Sequence, residues 1–436
     1  METLVFDLSQ KLGPFKVLNA TNGGPRHKYK AVNPRRTNFP AYKAARIPYA
    51  RNHDCGVQSA YGGPHSHDVM NIFPDFDADP YAPESYDFVC TDASILAWLE
   101  AGSKTYFRLG QTIEHQVKKY GTLPPKDFHK WAVICEHIIR HYTEGWADGF
   151  EMDMPYWEIW NEPDLTLDDA ANKPTWGGTR AQFFDLYEIA AKHLKGCFPH
   201  LKIGGPALAF NLEWAEDFLQ EMQKRNVQID FFSWHLYRWD PKLFTEKACR
   251  VKELLVKYGY GDAESHLNEW NYMKSWSDQY QYSLNVIHSM KGAAFTMGCI
   301  CEAQKAPIDM LMYYDTRLTT FDGAFDYYTL QPLKGYYPLY WYGSFYDLTA
   351  EVRSVNEIEN IYSLCGVDEQ GKAIAIVTYY TDEEGMEDKQ LAVDFGKEGK
   401  YEVYLLDEEH TNELVGEMTD LTFTMKPCTC ILIKEV

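Results

Sequence analysis

The sequence predicts an α/β chain in which a (β/α)8 barrel is followed by a β-sandwich, and three features lead there. Between residues 15 and 314, eight short β-prone runs alternate with stretches whose apolar residues recur at helical spacing, the pattern of repeated βαβ units. Two of those runs carry a glutamate flanked by asparagine, Tyr156-Trp157-Glu158-Ile159-Trp160-Asn161-Glu162-Pro163 and His266-Leu267-Asn268-Glu269-Trp270-Asn271. They are too far apart for local structure to join, whereas a barrel brings the C-terminal ends of all its strands to one face. Beyond about residue 344 the pattern changes to short alternating runs separated by acidic, glycine-bearing turns, as in a sandwich.

Taken in order, a strand-like piece at 3–6 precedes the first barrel strand at 15–21, which Gly23-Gly24-Pro25 ends. A helix-prone stretch at 41–45 leads into strand two at 46–52. Residues 54–85 have little period and read as one long loop. Apolar spacing through Phe88, Ala93, Leu96, Ala97 and Leu99 predicts a helix over 87–101, capped by Gly102, and strand three follows at 105–109. After Pro124-Pro125, Phe128, Trp131, Ile134, Cys135, Ile138 and Tyr142 share one helical face, so a helix is expected to start at the prolines. Strand four is the Glu162 run. Thr179 and Gln182 have capping-box spacing ahead of a helix that Gly196 ends. Strands five to eight fall at 202–205, 229–235, 266–269 and 310–314, with a helix over 243–258. The sandwich strands are expected at 361–367, 373–380, 390–395, 401–406 and 422–433.

The two glutamates suit one chemistry. Cleaving a glycosidic bond needs a carboxylic acid to protonate the leaving oxygen and a second carboxylate to act on the opposite face of the sugar. Pro163 stops its strand, which leaves Glu162 at a strand's C-terminal rim, and Glu269 ends a similar run.

Glu-Ile-Trp-Asn-Glu-Pro at 158–163, together with Asn-Glu-Trp-Asn at 268–271, resembles the clan of retaining barrel glycosidases. Within it, the chain is most similar to glycoside hydrolase family 39, the family of β-xylosidases and α-iduronidases. The likeness begins at Gly13-Pro14-Phe15-Lys16-Val17-Leu18-Asn19 and continues through Arg51-Asn52-His53 and His235-Leu236-Tyr237. It implies that Glu162 is the acid/base, that Asn161 donates to the sugar 2-hydroxyl, and that Glu269 is the nucleophile. It also implies that Arg51, His235 and Tyr237 hydrogen-bond the nucleophile and hold it ionised, since opposite charge and donated hydrogen bonds lower a carboxylate's pKa. Read alone, Tyr237 is an ordinary barrel-core tyrosine.

Further substrate-facing residues are expected. His53 reads as a sugar-binding histidine or as a hydrogen-bonded rim histidine. Asp315 and Asp322 follow strand eight, where the family often places a carboxylate for sugar hydroxyls. Trp270, Trp276 and Trp341 are candidates for stacking on sugar faces, against the ordinary reading of a tryptophan as buried. His53, Asp54, His65, His67 and Asp68 are metal-ligand types without a zinc-like spacing, so no metal is expected, and with no dinucleotide or phosphate-loop motif no cofactor either.

Composition excludes other partners. The chain of 436 residues carries a net charge of −21, which repels phosphate backbones and anionic membranes. There is neither a basic-then-apolar leader nor an apolar run of membrane length. Ten scattered cysteines argue for reduced thiols, so a cytoplasmic location is expected. Aromatic residues make up 15%, which suits sugar stacking and a packed core alike.

The sequence therefore predicts an exo-acting retaining glycosidase releasing terminal sugars from oligosaccharides, with a β-xyloside as the leading substrate. An arabinoside, a galactoside, a uronide or a non-catalytic carbohydrate-binding role stand as alternatives, and a homo-oligomer is left open. The expected domains are a strand in 1–12 joining the sandwich, a catalytic barrel over 13–343 and a sandwich over 344–436. The exo expectation rests on 54–85, with Tyr61, Phe73, Phe76 and Tyr81 packing it as a wall beside the glutamates, turned by Gly62-Gly63-Pro64 and Pro74.

Overall fold

The computed structural model describes residues 1–25, 37–53, 55 and 65–436. Strand β1 (Glu2–Val5) is followed by eight strands that close into a barrel in chain order. These are β2 (Val17–Asn22), β3 (Tyr49–Arg51), β4 (Lys104–Leu109), β5 (Tyr156–Ile159), β6 (Lys202–Leu208), β7 (Phe231–Arg238), β8 (Glu264–Tyr272) and β9 (Met310–Tyr313). Every neighbouring pair is parallel, and β9 returns to β2. The (β/α)8 barrel of the sequence reading is therefore the observed fold.

Helices α1 (Phe39–Ala45), α2 (Val69–Ile72), α3 (Val89–Glu100), α4 (Phe128–Thr143), α5 (Arg180–Cys197), α6 (Leu212–Lys224), α7 (Lys242–Lys257), α8 (Tyr280–Ile287), α9 (Met290–Lys305) and α10 (Tyr336–Gly343) occupy the connections. Thr179 and Gln182 form a reciprocal capping box on α5, as their spacing predicts. Helix α4 does not begin at the prolines. Asp127 caps it by accepting from the backbone N–H groups of His129 and Lys130, which are otherwise orphaned at a helix start. Helix α6 was not anticipated, although Asn211 accepts from Trp214 N–H at its start. Helix α9 is buried on nearly every side because the barrel lies on one flank and the C-terminal sheet on the other. Tyr362, Leu364, Ile376 and Leu432 of that sheet belong to the same apolar cluster as Phe295 and Ile300 of α9. A helix so placed loses the amphipathic period by which helices are read.

The C-terminal part holds β10 (Ala350–Val352), β11 (Ile361–Val367), β12 (Ala373–Tyr379), β13 (Lys389–Asp394), β14 (Tyr401–Leu406), β15 (Thr411–Met418), β16 (Thr422–Met425) and β17 (Thr429–Glu435). Six of them form an antiparallel sheet ordered β10-β11-β12-β17-β14-β15, and the remaining two join β1 in the order β1-β13-β16. Leu4, Leu391 and Met425 of the small sheet share a core with Val377, Val403 and Ile433 of the large one. The single strand expected at 422–433 is two, in different sheets, and β15 was not foreseen because its residues are mostly exposed or half-exposed. Among the described residues no helix is long and apolar enough to cross a membrane.

The barrel interior is layered. Ala20, Tyr106, Phe231, Met310 and Met312 fill the lower part, with Tyr49 and Tyr156 against them. Side chains alternate along a strand, so two residues further toward the C-terminal mouth the inward positions become Asn22, Arg51, Arg108 and Glu158, all fully buried. An aromatic plug thus carries a layer of charge.

Candidate active site

Arg51 and Glu158 form the floor. Arg51 Nε donates to Glu158 Oε2 at 2.8 Å with both side chains wholly buried, and Asn268 Nδ2 donates to the other oxygen of Glu158. The same guanidinium donates to Asn22 Oδ1 at 3.0 Å, to Asn161 Oδ1 at 2.6 Å and to Glu269 Oε2 at 3.3 Å. Burying these charges is tolerable only because each is paired and hydrogen-bonded. Glu158 went unread in the sequence, yet the signal was there: a charged residue at an inward position of a strand needs a partner across the barrel.

Local backbone geometry aims the two rim glutamates. On β8 the register with β7 slips by one, Trp234 pairing with Leu267 but His235 with Glu269. This bulge re-aims the strand. Asn268 reaches inward to Glu158, and Glu269, which simple alternation would send outward, also reaches the mouth. At the end of β5, Trp160 and Glu162 both adopt left-handed backbone, φ 73° and 47°, which is uncommon outside glycine. Trp160 N–H donates to Leu109 O, Glu162 N–H to Ala207 O, and Thr175 Oγ1 to Glu162 O. The turn drives the Trp160 indole into the wall, where it donates to Thr175 O at 2.9 Å.

Glu162 and Glu269 consequently face one space, 8% and 6% exposed. An oxygen of each and a ring nitrogen of His235 all lie within 4.8 Å of one another. Tyr237 Oη donates to Glu269 Oε1 at 2.6 Å. His235 Nδ1 lies 2.7 Å from Glu162 Oε1 and 3.7 Å from Glu269 Oε2, so its hydrogen bond is to Glu162 rather than to Glu269 as expected. His53 Nε2 stands 3.8 Å from Glu269 Oε2. Asn161 Nδ2 is buried with no hydrogen-bond partner among the described residues, a donor available to a ligand between the carboxylates. Two carboxylates and an imidazole are also metal-ligand types, but the Arg51 cation already stands against Glu269 Oε2.

Burial decides the electrostatics. It pushes the Glu269 carboxyl above its ordinary range, helped by the Glu162 charge, and outweighs the opposing charge of Arg51 and the hydrogen bond from Tyr237. The pairing residues therefore limit the rise rather than produce a net fall. Burial also brings His235 down to about 4, with the attraction of Glu269 working against it, so the imidazole is neutral near neutral pH. Asp164, two residues beyond Glu162, is raised to about 7 by burial, against two backbone N–H donors. It accepts from Ala209 and Asn211 N–H at 2.8 and 2.7 Å and ties the chain after β6 to the Glu162 turn.

Two of the tryptophans expected to stack on sugars lie elsewhere. Trp270 points out of the barrel against Phe244, Phe295 and Tyr313, a consequence of the bulge that turns Glu269 inward. Trp341 is buried in α10 with its indole N–H on Asn412 Oδ1 at 2.7 Å, facing the sandwich. Asp315 is fully buried and engaged by Arg317 at 2.6 Å and by Thr319 Oγ1 at 3.0 Å. Asp322 Oδ1 accepts from the backbone N–H groups of Ala324 and Phe325. Asp68 pairs with Arg108 at 2.9 Å, and His67 stacks on Trp98.

The expected wall is divided. Asp54, Tyr61 and Gly62-Gly63-Pro64 lie outside the described residues. Val69 N–H donates to Gly110 O at 3.0 Å, which holds α2 over the end of β4 at the mouth. The chain then leaves it: Tyr81 is 64% exposed with its ring edge on His137 of α4, in the outer helical layer.

The fold is shared with solved structures. A glucosidase from Croceicoccus marinus superposes with a TM-score of 0.79 at 22% identity, over 100% of this chain and 99% of that one. A monomeric β-xylosidase from Caulobacter crescentus CB15 gives 0.70 at 16%, over 100% and 99%. An α-L-arabinofuranosidase from Thermotoga maritima gives 0.71 at 16%, over 100% of both. At such identities the likeness is one of fold. In sequence, a β-xylosidase of Geobacillus stearothermophilus is 30% identical over 211 residues, 45% of this chain and 38% of that protein. A β-xylosidase of Caldicellulosiruptor saccharolyticus is 27% identical over 255 residues, 53% and 48%. The matched part is less than half the length of either relative. The family model of glycosyl hydrolases family 39 matches residues 63–310, more than half of the chain, and the protein belongs to that family.

Proposed function

We propose that the protein is a retaining, exo-acting glycoside hydrolase whose substrate is a β-xyloside. The observation that carries this reading is the approach of Glu162 and Glu269, an oxygen of each within 4.8 Å. Retaining enzymes hold their carboxyl groups about 5–5.5 Å apart, while inverting ones need roughly 6.5–9.5 Å to admit a water. In the first step Glu162 gives its proton to the glycosidic oxygen as that bond breaks, and Glu269 attacks the anomeric carbon to form an ester. Glu162, now a carboxylate, takes a proton from the water that cleaves the ester, which restores both groups. Asn161 Nδ2 is the donor for the 2-hydroxyl, and Arg51 and Tyr237 orient Glu269.

The β-xyloside assignment draws on the two β-xylosidases with which the chain shares sequence. Exo action draws on the deep seat of the glutamates and on α2 at the mouth. The test is a panel of nitrophenyl glycosides of xylose, arabinose, galactose, glucose and a uronic acid, with NMR of the first-formed anomer. Release of xylose with retained configuration is expected; an inverted first product would sink the mechanism, and preference for another sugar the substrate.

A further inference from the structure

Trp276 is the one exposed tryptophan among the described residues, at 58%. An indole left largely in water is costly in apolar surface. Its loop, which directly follows the strand bearing Glu269, is pinned. Met273 N–H donates to Arg238 O at 3.1 Å, Lys274 N–H to Ser283 Oγ at 2.9 Å, and Ser275 Oγ to Asp278 Oδ1 at 2.6 Å. The ring is held as well: Tyr237 meets it edge to face at 5.0 Å, Tyr280 stacks at 6.1 Å and Phe321 lies at 6.1 Å.

Its position follows from one contact. Tyr237, the ring beneath Trp276, is the residue that donates to Glu269. Exposure rises outward along this line, from Glu269 at 6% through half-buried Tyr237 to Trp276 at 58%. A sugar whose anomeric carbon meets Glu269 fills the deep end, so a ring at the height of Trp276 sits on the solvent side of the bond to be cleaved. We propose that Trp276 is the stacking surface for the leaving group, taking the apolar C–H face of a second pyranose, and thereby sets a preference for saccharide over small leaving groups. The proposal rests on the hydrolase reading above.

The test compares Trp276→Ala with the wild-type enzyme on xylobiose and on β-xylosyl fluoride, which share a glycone but differ in whether the leaving group has a face to stack. The kcat/KM ratio of xylobiose to fluoride is expected to fall roughly tenfold in the variant, mainly through KM, and Trp276→Phe is expected to recover most of it. Because the indole is more than half exposed, an unchanged melting temperature is expected to show that the variant folds. An unchanged ratio, or equal loss on both substrates because Tyr237 has lost its support, overturns the platform while leaving the hydrolase reading intact. A wild-type enzyme that cleaves neither substrate overturns the β-xyloside reading, and the platform with it.

Discussion

The imidazole of His235 stands between the two glutamates but belongs to one of them, 2.7 Å from Glu162 Oε1 and 3.7 Å from Glu269 Oε2. It is neutral near pH 7, since burial holds its pKa down to about 4. A neutral ring can exchange a hydrogen bond with Glu162 in either protonation state, receiving from the acid or donating to the carboxylate. His235→Ala is therefore expected to weaken proton transfer more than nucleophilic attack. For a leaving group that needs protonation, kcat/KM is expected to fall roughly tenfold to a hundredfold, part of the 10²–10⁴ that acid–base catalysis contributes. A dinitrophenyl glycoside is expected to be little affected, and the basic limb of the pH profile to move. Equal losses on both substrates would return His235 to a purely structural role.

Substitution of the glutamates is expected to separate their roles. Glu162→Gln is expected to disable poor leaving groups while sparing much of the first step with activated aryl glycosides, and added azide is expected to restore turnover as a β-glycosyl azide. Glu269→Ala is expected to abolish both, because no ester can form. Azide product from the Glu269 variant, and none from the Glu162 variant, would reverse the assignment.

Arg51 is expected to be as much a folding residue as a site residue. Its removal leaves Glu158 charged and fully buried, which costs about 3–5 kcal/mol. Arg51→Met is expected to lower unfolding free energy by that order in denaturant titration, and Arg51→Met with Glu158→Gln to regain a large part. A double variant no more stable than the single would show that the charge pair is not the cause.

Much of this arrangement was legible in the sequence where local chemistry carries it. A proline after Asn161-Glu162 marks a strand end, and convergence of strand ends follows from the barrel; Arg51, His235 and Tyr237, to which only the family resemblance pointed, come to the two glutamates. Trp270, a candidate for sugar stacking, faces away because the slip at Asn268 that turns Glu269 inward turns Trp270 out. That slip depends on pairing with β7 and leaves no local trace. Trp341 was misplaced for a similar reason, since its partner Asn412 is known only once the chain folds. Glu158 differs: its inward phase on β5 was readable.

The burial of His235 also has a consequence for stability. In the unfolded chain the imidazole takes up a proton at its ordinary value of 6.5, whereas the folded protein resists it until about pH 4. Between those values the unfolded state binds more protons, so stability rises with pH. The contribution is complete above pH 6.5 and is lost as pH falls toward 4, by about 3 kcal/mol at the rate of 1.36 kcal/mol per pH unit. Glu269 acts oppositely: its folded pKa is raised, so its proton favours the folded state at low pH and that contribution is lost as pH rises through the raised value. Comparison with His235→Asn, which keeps an amide near Nδ1 but does not titrate, cancels most of this background. The wild-type protein is expected to lose about 3 kcal/mol relative to the variant between pH 7 and pH 4, measured by urea unfolding at each pH. A constant difference across that window would mean that folding does not shift the His235 titration, and the account of an imidazole held neutral by burial beside Glu162 would fall with it.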